Sequence, residues 1–329
     1  VKSPYTDKEM ILKIDYVDVE FRGEKYNVNE FYYYCEDSNK KLMNTELATR
    51  NENQLYNAYR SKHSIPFPQD LEIFRNYLEL STDKISKLFG FGINQWKQYE
   101  DGKMPNNSNS KILKSINNKE FVLNLISDYE ITSEKKENLK VKYNEFYKNM
   151  IYEKNLNSNY IVNEQDNYRL FGYRRLSLLK TINIFNYIST HIQKGKTAFN
   201  KILFFIEFSY FKRYSSSITG LSFRAMERGP VPPRYDILFN IASINGFVTE
   251  SEHWYDSIND FVPYYSKGNE NFNKSLFSKS EVEIIESIVN NLKNKTKEQL
   301  EELSHKEQGW IDNRGSSEFI DFSYAYKLN

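Results

Sequence analysis

The chain has 329 residues, a formal net charge of +1 and 16% aromatic residues, chiefly 26 Tyr and 23 Phe. That length suggests two or three domains, and the rings bring enough apolar area to exclude disorder along the whole chain. No global basic field advertises nucleic acid, the single Cys35 excludes a disulfide framework, and no apolar run approaches the roughly 18–20 residues of a membrane span. With no charged-then-apolar signal pattern at the start, a soluble, cytoplasmic protein is expected.

ILKIDYVDVEF (Ile11 to Phe21) and YNVNEFYYY (Tyr26 to Tyr34) read as two strands around Arg22-Gly23-Glu24-Lys25, because β-branched and aromatic residues suit a pleated surface. Residues 44 to 60 read as a helix with Leu47, Leu55 and Tyr59 on one face. Ser3-Pro4-Tyr5-Thr6 and Cys35-Glu36-Asp37-Ser38 sit where zinc-ribbon antitoxins of the YgiT (MqsA-like) type carry CPxC and CxxC, and the segment resembles that ribbon. A structural zinc site draws most of its affinity from thiolates, yet three of the four expected cysteines are Ser3, Thr6 and Ser38. The expectation is a metal-free ribbon resting on hydrophobic packing, with Cys35 a buried small residue.

From Pro68 the period changes. Leu71, Phe74 and Leu78 fall at helical spacing, and Ser81 is an N-cap for a short helix carrying Ile85, Leu88 and Phe89. Gly90-Phe91-Gly92 breaks that helix, Ile93, Trp96 and Tyr99 resume it, and Asp101-Gly102 ends it. Trp96-Lys97-Gln98-Tyr99-Glu100-Asp101-Gly102 resembles the segment after the turn in the helix-turn-helix of those antitoxins and of Xre/Cro-type repressors. The second helix would expose Asn94, Gln95, Lys97 and Gln98, whose amides suit adenine edges and whose lysine suits guanine or phosphate. Lys84, and Lys103, Asn106, Asn107, Asn109 and Lys111 beyond it, complete the expected DNA-binding set. Between Leu80 and Ser115 six Lys face three acids, a modest excess that calls for a dimer. An all-α packing module without an operator is the alternative.

Phe121 to Ile151 reads as a helix pair or one long helix, and Asn-rich Lys154 to Gln165 as a linker, followed by a solvated cluster of Arg169, Arg174 and Arg175. Leu178, Ile182, Phe185, Ile188 and Ile192 form one helical stripe; Thr197 caps the next helix, whose ILFFIEF run is expected to be central and buried. Glu207 interrupts that run and needs a partner, with Arg224 or Arg228 the candidates. Leu221 to Met226 is strand-like and leads into Glu227-Arg228-Gly229-Pro230, a stiff bend. Ser278-x-x-Glu281 and Thr296-x-x-Gln299 are capping boxes for two closing helices.

KILFFIEFSYF, Ile218-Thr219-Gly220, the Met226 to Pro232 turn and Leu303-Ser304-His305-Lys306-Glu307 to Trp310 together resemble the SocA-like, or Panacea, antitoxin domain over about Leu176 to Trp310. The resemblance implies a module that binds and neutralises a toxin protein, and it gives no residue-level interface. Tyr210, Arg224, Glu227 and Arg228, placed near the rigid turn, are the toxin-binding candidates; the alternative is an internal ion-pair network supporting the turn.

Catalytic chemistry is not visible. Gly195-Lys196-Thr197 mimics the end of a P-loop, but Thr190 stands where its first glycine belongs. His63, His191, His253 and His305 are scattered, with no metal-ligand spacing. The expectation is therefore no enzyme, no cofactor and no metal. The fold expected is mainly α with small β elements (α+β). It comprises a zinc-less ribbon (1–65), a helix-turn-helix domain with a helical extension (66–153), a linker (154–175) and a SocA-like Panacea domain (176–329). The function expected is a type II antitoxin that masks a cognate toxin and, as a homodimer on operator DNA, represses its own operon. The alternative is a stand-alone transcription regulator or proteolytic adaptor without a toxin.

Overall fold

β1 (Ile11–Phe21) and β2 (Glu24–Cys35) form an antiparallel hairpin in the computed structural model, which describes residues 1–160, 167–255 and 259–329. Arg22 and Gly23 both take left-handed geometry (φ 52° and 79°), the two-residue turn whose twist matches a hairpin. β3 (Lys40–Leu42) pairs with Tyr33–Cys35, which leaves the middle of β2 an open edge. α1 (Thr45–His63) closes it with side chains. Asn51 accepts from the Phe31 amide at 2.9 Å and donates to its carbonyl at 3.0 Å, while Gln54 donates to the Asn29 carbonyl at 3.1 Å. Backbone groups that lack a neighbouring strand are thereby satisfied.

α2 (Pro68–Tyr77), α3 (Thr82–Leu88), α4 (Gln95–Glu100), α5 (Asn107–Lys114), α6 (Lys119–Asp128) and α7 (Ser133–Asn157) follow. The stretch from Phe121 is thus a helix pair. These helices share a core of Phe74, Ile85, Leu88, Trp96, Val122 and Tyr143. Lys154 to Asn157 complete α7, and of the expected linker residues 161–166 lie outside the described residues. Leu156, Tyr160, Leu170 and Tyr173, on either side of them, are buried.

The remaining elements are α8 (Leu178–His191), β4 (Lys194–Gly195), α9 (Lys196–Tyr214), β5 (Arg224–Met226), β6 (Gly229–Val231), α10 (Tyr235–Ile244), β7 (Val248–Tyr255), β8 (Asp260–Lys267), α11 (Lys279–Leu292), α12 (Lys297–His305) and α13 (Gln308–Asn313). β4, β8 and β7 make a second small sheet in that order. The whole is mainly α with small β elements, as expected. α9 is the axis: Phe199, Ile202, Leu203, Phe204, Ile206 and Phe208 are buried, each contributing about 1.5–3 kcal/mol relative to exposure. Both capping boxes form, at Ser278 and Thr296.

Three expectations are corrected. Thr197 does not cap α9, because the helix begins at Lys196, with Gly195 in extended geometry at the cap position two residues earlier. Arg174 is not solvated: its guanidinium is buried and grips Asp70 at 2.6 and 3.2 Å. Glu207 pairs with neither Arg224 nor Arg228. Its carboxylate accepts from the Ile218 amide at 2.7 Å and the Thr219 amide at 3.0 Å, which folds the 215–223 segment back along α9.

The cores do not follow chain order. Tyr26, Val28, Ala58 and Tyr59 from the N-terminal hairpin and α1 belong to the same core as α8 and α9, and the Phe31 ring lies 4.5 Å from that of Tyr326. The helices α2 to α7 keep their own core between these two partners. Among the described residues no helix is long and apolar enough to cross a membrane.

Candidate functional site

The pair α3 and α4, with the turn between them, is locked from beneath. Ser81 accepts from the Lys84 amide at 3.3 Å and starts α3; Gly90 (φ 69°) and Asn94 (φ 62°) take left-handed geometry on either side of the turn. Trp96 and Tyr99 are buried on one face of α4. The Trp96 amide donates to Ser86 Oγ at 3.1 Å and its indole to Glu100 Oε1 at 2.8 Å. Arg75 holds the same carboxylate through Nε at 2.6 Å and Nη2 at 3.0 Å. One charge-assisted lock therefore joins α2 to α4.

The expected DNA-binding residues lie opposite. Lys84, Asn94, Lys97, Gln98, Lys103, Asn106, Asn107 and Lys111 are exposed, and Gln95 and Asn109 half-buried. Lys97 reaches Asp101 at 3.0 Å, and Lys103 donates to Gln98 Oε1 at 2.9 Å. Asn106 and Asn109 also carry structural duties: Asn106 Oδ1 caps α5, and Asn109 donates to the Tyr99 hydroxyl at 2.6 Å. Ile93 does not join the buried face; it stands in the turn, 80% exposed. Arg22, at the tip of the β1–β2 hairpin, is an addition to this surface. It donates to the Pro105 carbonyl at 2.7 Å and to Asn107 Oδ1 at 3.2 Å, from 85 positions away, so no local spacing signals it.

At the other end of that hairpin, Ser3, Thr6, Cys35 and Ser38 do converge. Thr6 Oγ1 lies 3.3 Å from Cys35 Sγ, and Ser3 and Cys35 are buried. The neighbouring polar groups of Ser3, Ser38 and Thr6 hold the Cys35 thiol down at about 6. One thiol and three hydroxyls do not fit the thiolate set of a structural zinc ion.

The turn at 224–231 is a two-stranded hairpin, β5 with β6, closed by Gly229 at φ 97°. A Cβ there would meet Ser304 Oγ at 2.4 Å and Lys201 Nζ at 2.8 Å, so glycine is required for space as well as for geometry. Lys201 is fully buried in α9 and donates to the Pro230 carbonyl at 3.0 Å; burial pulls its amine down to about 7. Trp310 donates to the Met226 carbonyl at 2.8 Å and stacks on His305 with centroids 3.9 Å apart. Burial, with Lys201 nearby, holds His305 below its ordinary value. On the outer edge of β5, the Ala225 amide donates to the Glu318 carbonyl at 3.1 Å.

Above this support Arg224, Glu227 and Arg228 are exposed, with Met226 between them. Arg224 lies 4.3 Å over the Phe319 ring. Tyr210 is corrected: it is fully buried in α9, its hydroxyl 3.2 Å from Ser280 Oγ, and it has no surface to offer a partner. Nothing in the local sequence marks Lys201 and Ser304 as supports, because a lysine inside an apolar helical run gives no sign of what it faces.

The described residues thus form a mainly α framework that holds a charged hairpin crest, and they contain no cluster of metal ligands. Residues 199–311, from α9 to α13, match the family model of the antitoxin SocA-like Panacea domain, which supports a toxin–antitoxin-related role. Neither the curated proteins nor the solved structures yielded a match.

Proposed function

We propose that the chain is a type II antitoxin that binds a toxin protein through the 224–228 crest and operator DNA through α4 and the loop beyond it. The observation that carries the first part is the crest itself. Arg224, Glu227 and Arg228 project from a hairpin held by Lys201, Ser304 and Trp310, inside the stretch that matches an antitoxin-like domain. A rigid charged surface loses little entropy on binding and selects partners by complementary charge. For DNA, Gln95 and Gln98 would reach base edges, the exposed Ile93 a thymine methyl, and Lys103 and Lys111 the phosphates. A homodimer on two half-sites would double those phosphate contacts.

Co-expression tests this reading. A gene adjacent to the one for this chain should halt growth alone and not in its presence, and purified chain should retard the operon's promoter fragment. A neighbour without toxicity, while the promoter fragment is still retarded, would leave a stand-alone regulator instead.

A further inference from the structure

A cavity of about 490 Å³ lies where the end of α1, the helices α2 and α7, and the 174–180 segment meet. That size falls within the roughly 300–1,000 Å³ of small-molecule sites. Ile73, Phe146, Met150 and Leu179 give it an apolar wall, and Asn117, Asn149 and Ser177 add hydrogen-bonding groups.

Its charge is lopsided. Arg60, Lys154, Arg174, Arg175 and Lys180 line it against Asp70 and Glu153. Asp70 is spent on Arg174, and Lys180 is matched from behind by Glu281 at 2.7 and 2.9 Å. Arg60 is 2% exposed, and its guanidinium has neutral acceptors, Asn57 Oδ1 at 3.0 Å and the Gly102 carbonyl at 2.7 Å. Arg175 donates to Ser64 Oγ, just past the end of α1. Among the described residues no carboxylate pairs with Arg60, Arg175 or Lys154. Glu153 is half-buried on the cavity wall, where burial pushes its carboxyl up while Ser177, Lys180 and Arg174 pull it down. Asp70 acts on Arg60 only at longer range; a buried guanidinium with no carboxylate in contact is costly to keep, and an anion in the cavity would supply a direct partner.

We propose that the cavity binds a small organic phosphate, its aromatic or apolar body against Ile73, Phe146 and Met150 and its anionic group toward Arg60 and Arg175. Such a ligand touches α2 and α7 on one side and α8 on the other, so it bridges the two cores. The site is independent of toxin and operator and can be tested without either.

The test is thermal melting of the full chain with millimolar AMP, GDP, ATP or pyridoxal phosphate, with inorganic phosphate and adenosine as controls. At least one of the four should raise the melting temperature more than either control. Arg175→Ala, at an exposed position that should not disturb folding, should weaken that ligand about tenfold, the worth of one charge-assisted hydrogen bond. Met150→Trp, which fills the apolar wall, should abolish the shift. No shift with any of the four, a shift matched by inorganic phosphate alone, or a shift untouched by both variants would overturn the proposal.

Discussion

Beneath α4 the support is aromatic: Phe74, Phe89 and Trp96 pack with ring centroids 5.1 to 6.1 Å apart, and one Arg75–Glu100 pair ties them down. Beneath the Gly229 turn the support is polar, with Lys201 on the Pro230 carbonyl, Trp310 on the Met226 carbonyl and Ser304 filling the space a side chain would need. The first kind tolerates change as long as volume is kept; the second depends on single hydrogen bonds in a medium where unpaired groups are expensive. The two proposed binding surfaces should therefore fail in different ways.

The largest effect is expected for Trp96→Ala. Loss of that buried ring should cost the α2–α7 core about 3–5 kcal/mol. Because the large core does not include it, denaturation followed by aromatic fluorescence should separate into two transitions; a single shifted transition would break the division into two cores. Gly229→Ala comes next. Strain at φ 97° and contact with Ser304 and Lys201 should destabilise the large core by about 2–4 kcal/mol and leave promoter binding intact.

Lys201 gives a smaller, pH-dependent effect. Its amine titrates at about 7 in the folded chain and at its ordinary 10.5 when unfolded. Between those values the unfolded chain holds a proton that the folded chain lacks, so stability rises with pH and the penalty is complete below 7. From pH 7 to pH 8 the parent should gain about 1 kcal/mol that Lys201→Met does not. Equal profiles would show that the amine is not buried as described. Smallest in stability are Gln95→Ala and Lys97→Ala, each within about 0.5 kcal/mol, and Asn94→Ala, about 1 kcal/mol because alanine is strained in the left-handed geometry at φ 62°. Their combined loss should abolish promoter retardation while toxin rescue persists.

The contrast between the two supports also explains what could be read from the sequence. Apolar support repeats with the helix, so the spacing of Ile85, Leu88, Trp96 and Tyr99 alone discloses α3 and α4. The Ser278 and Thr296 caps and the Arg22-Gly23 turn are equally local. Polar support has no period. That Glu207 holds the Ile218 and Thr219 amides, that Arg174 meets Asp70 from 104 positions away, and that Arg22 reaches the 105–107 loop all depend on tertiary placement. The pairing of the N-terminal hairpin with the C-terminal core is hidden for the same reason.

The proposed toxin site is the exposed crest, and not the buried scaffold beneath it. The direct measurement is the affinity of purified toxin for the chain carrying Arg224→Ala, Glu227→Ala and Arg228→Ala together. Affinity should fall about a hundredfold or more, as for loss of charged hot-spot residues, with melting temperature and promoter binding unchanged. Parent-like affinity in that variant would contradict the account.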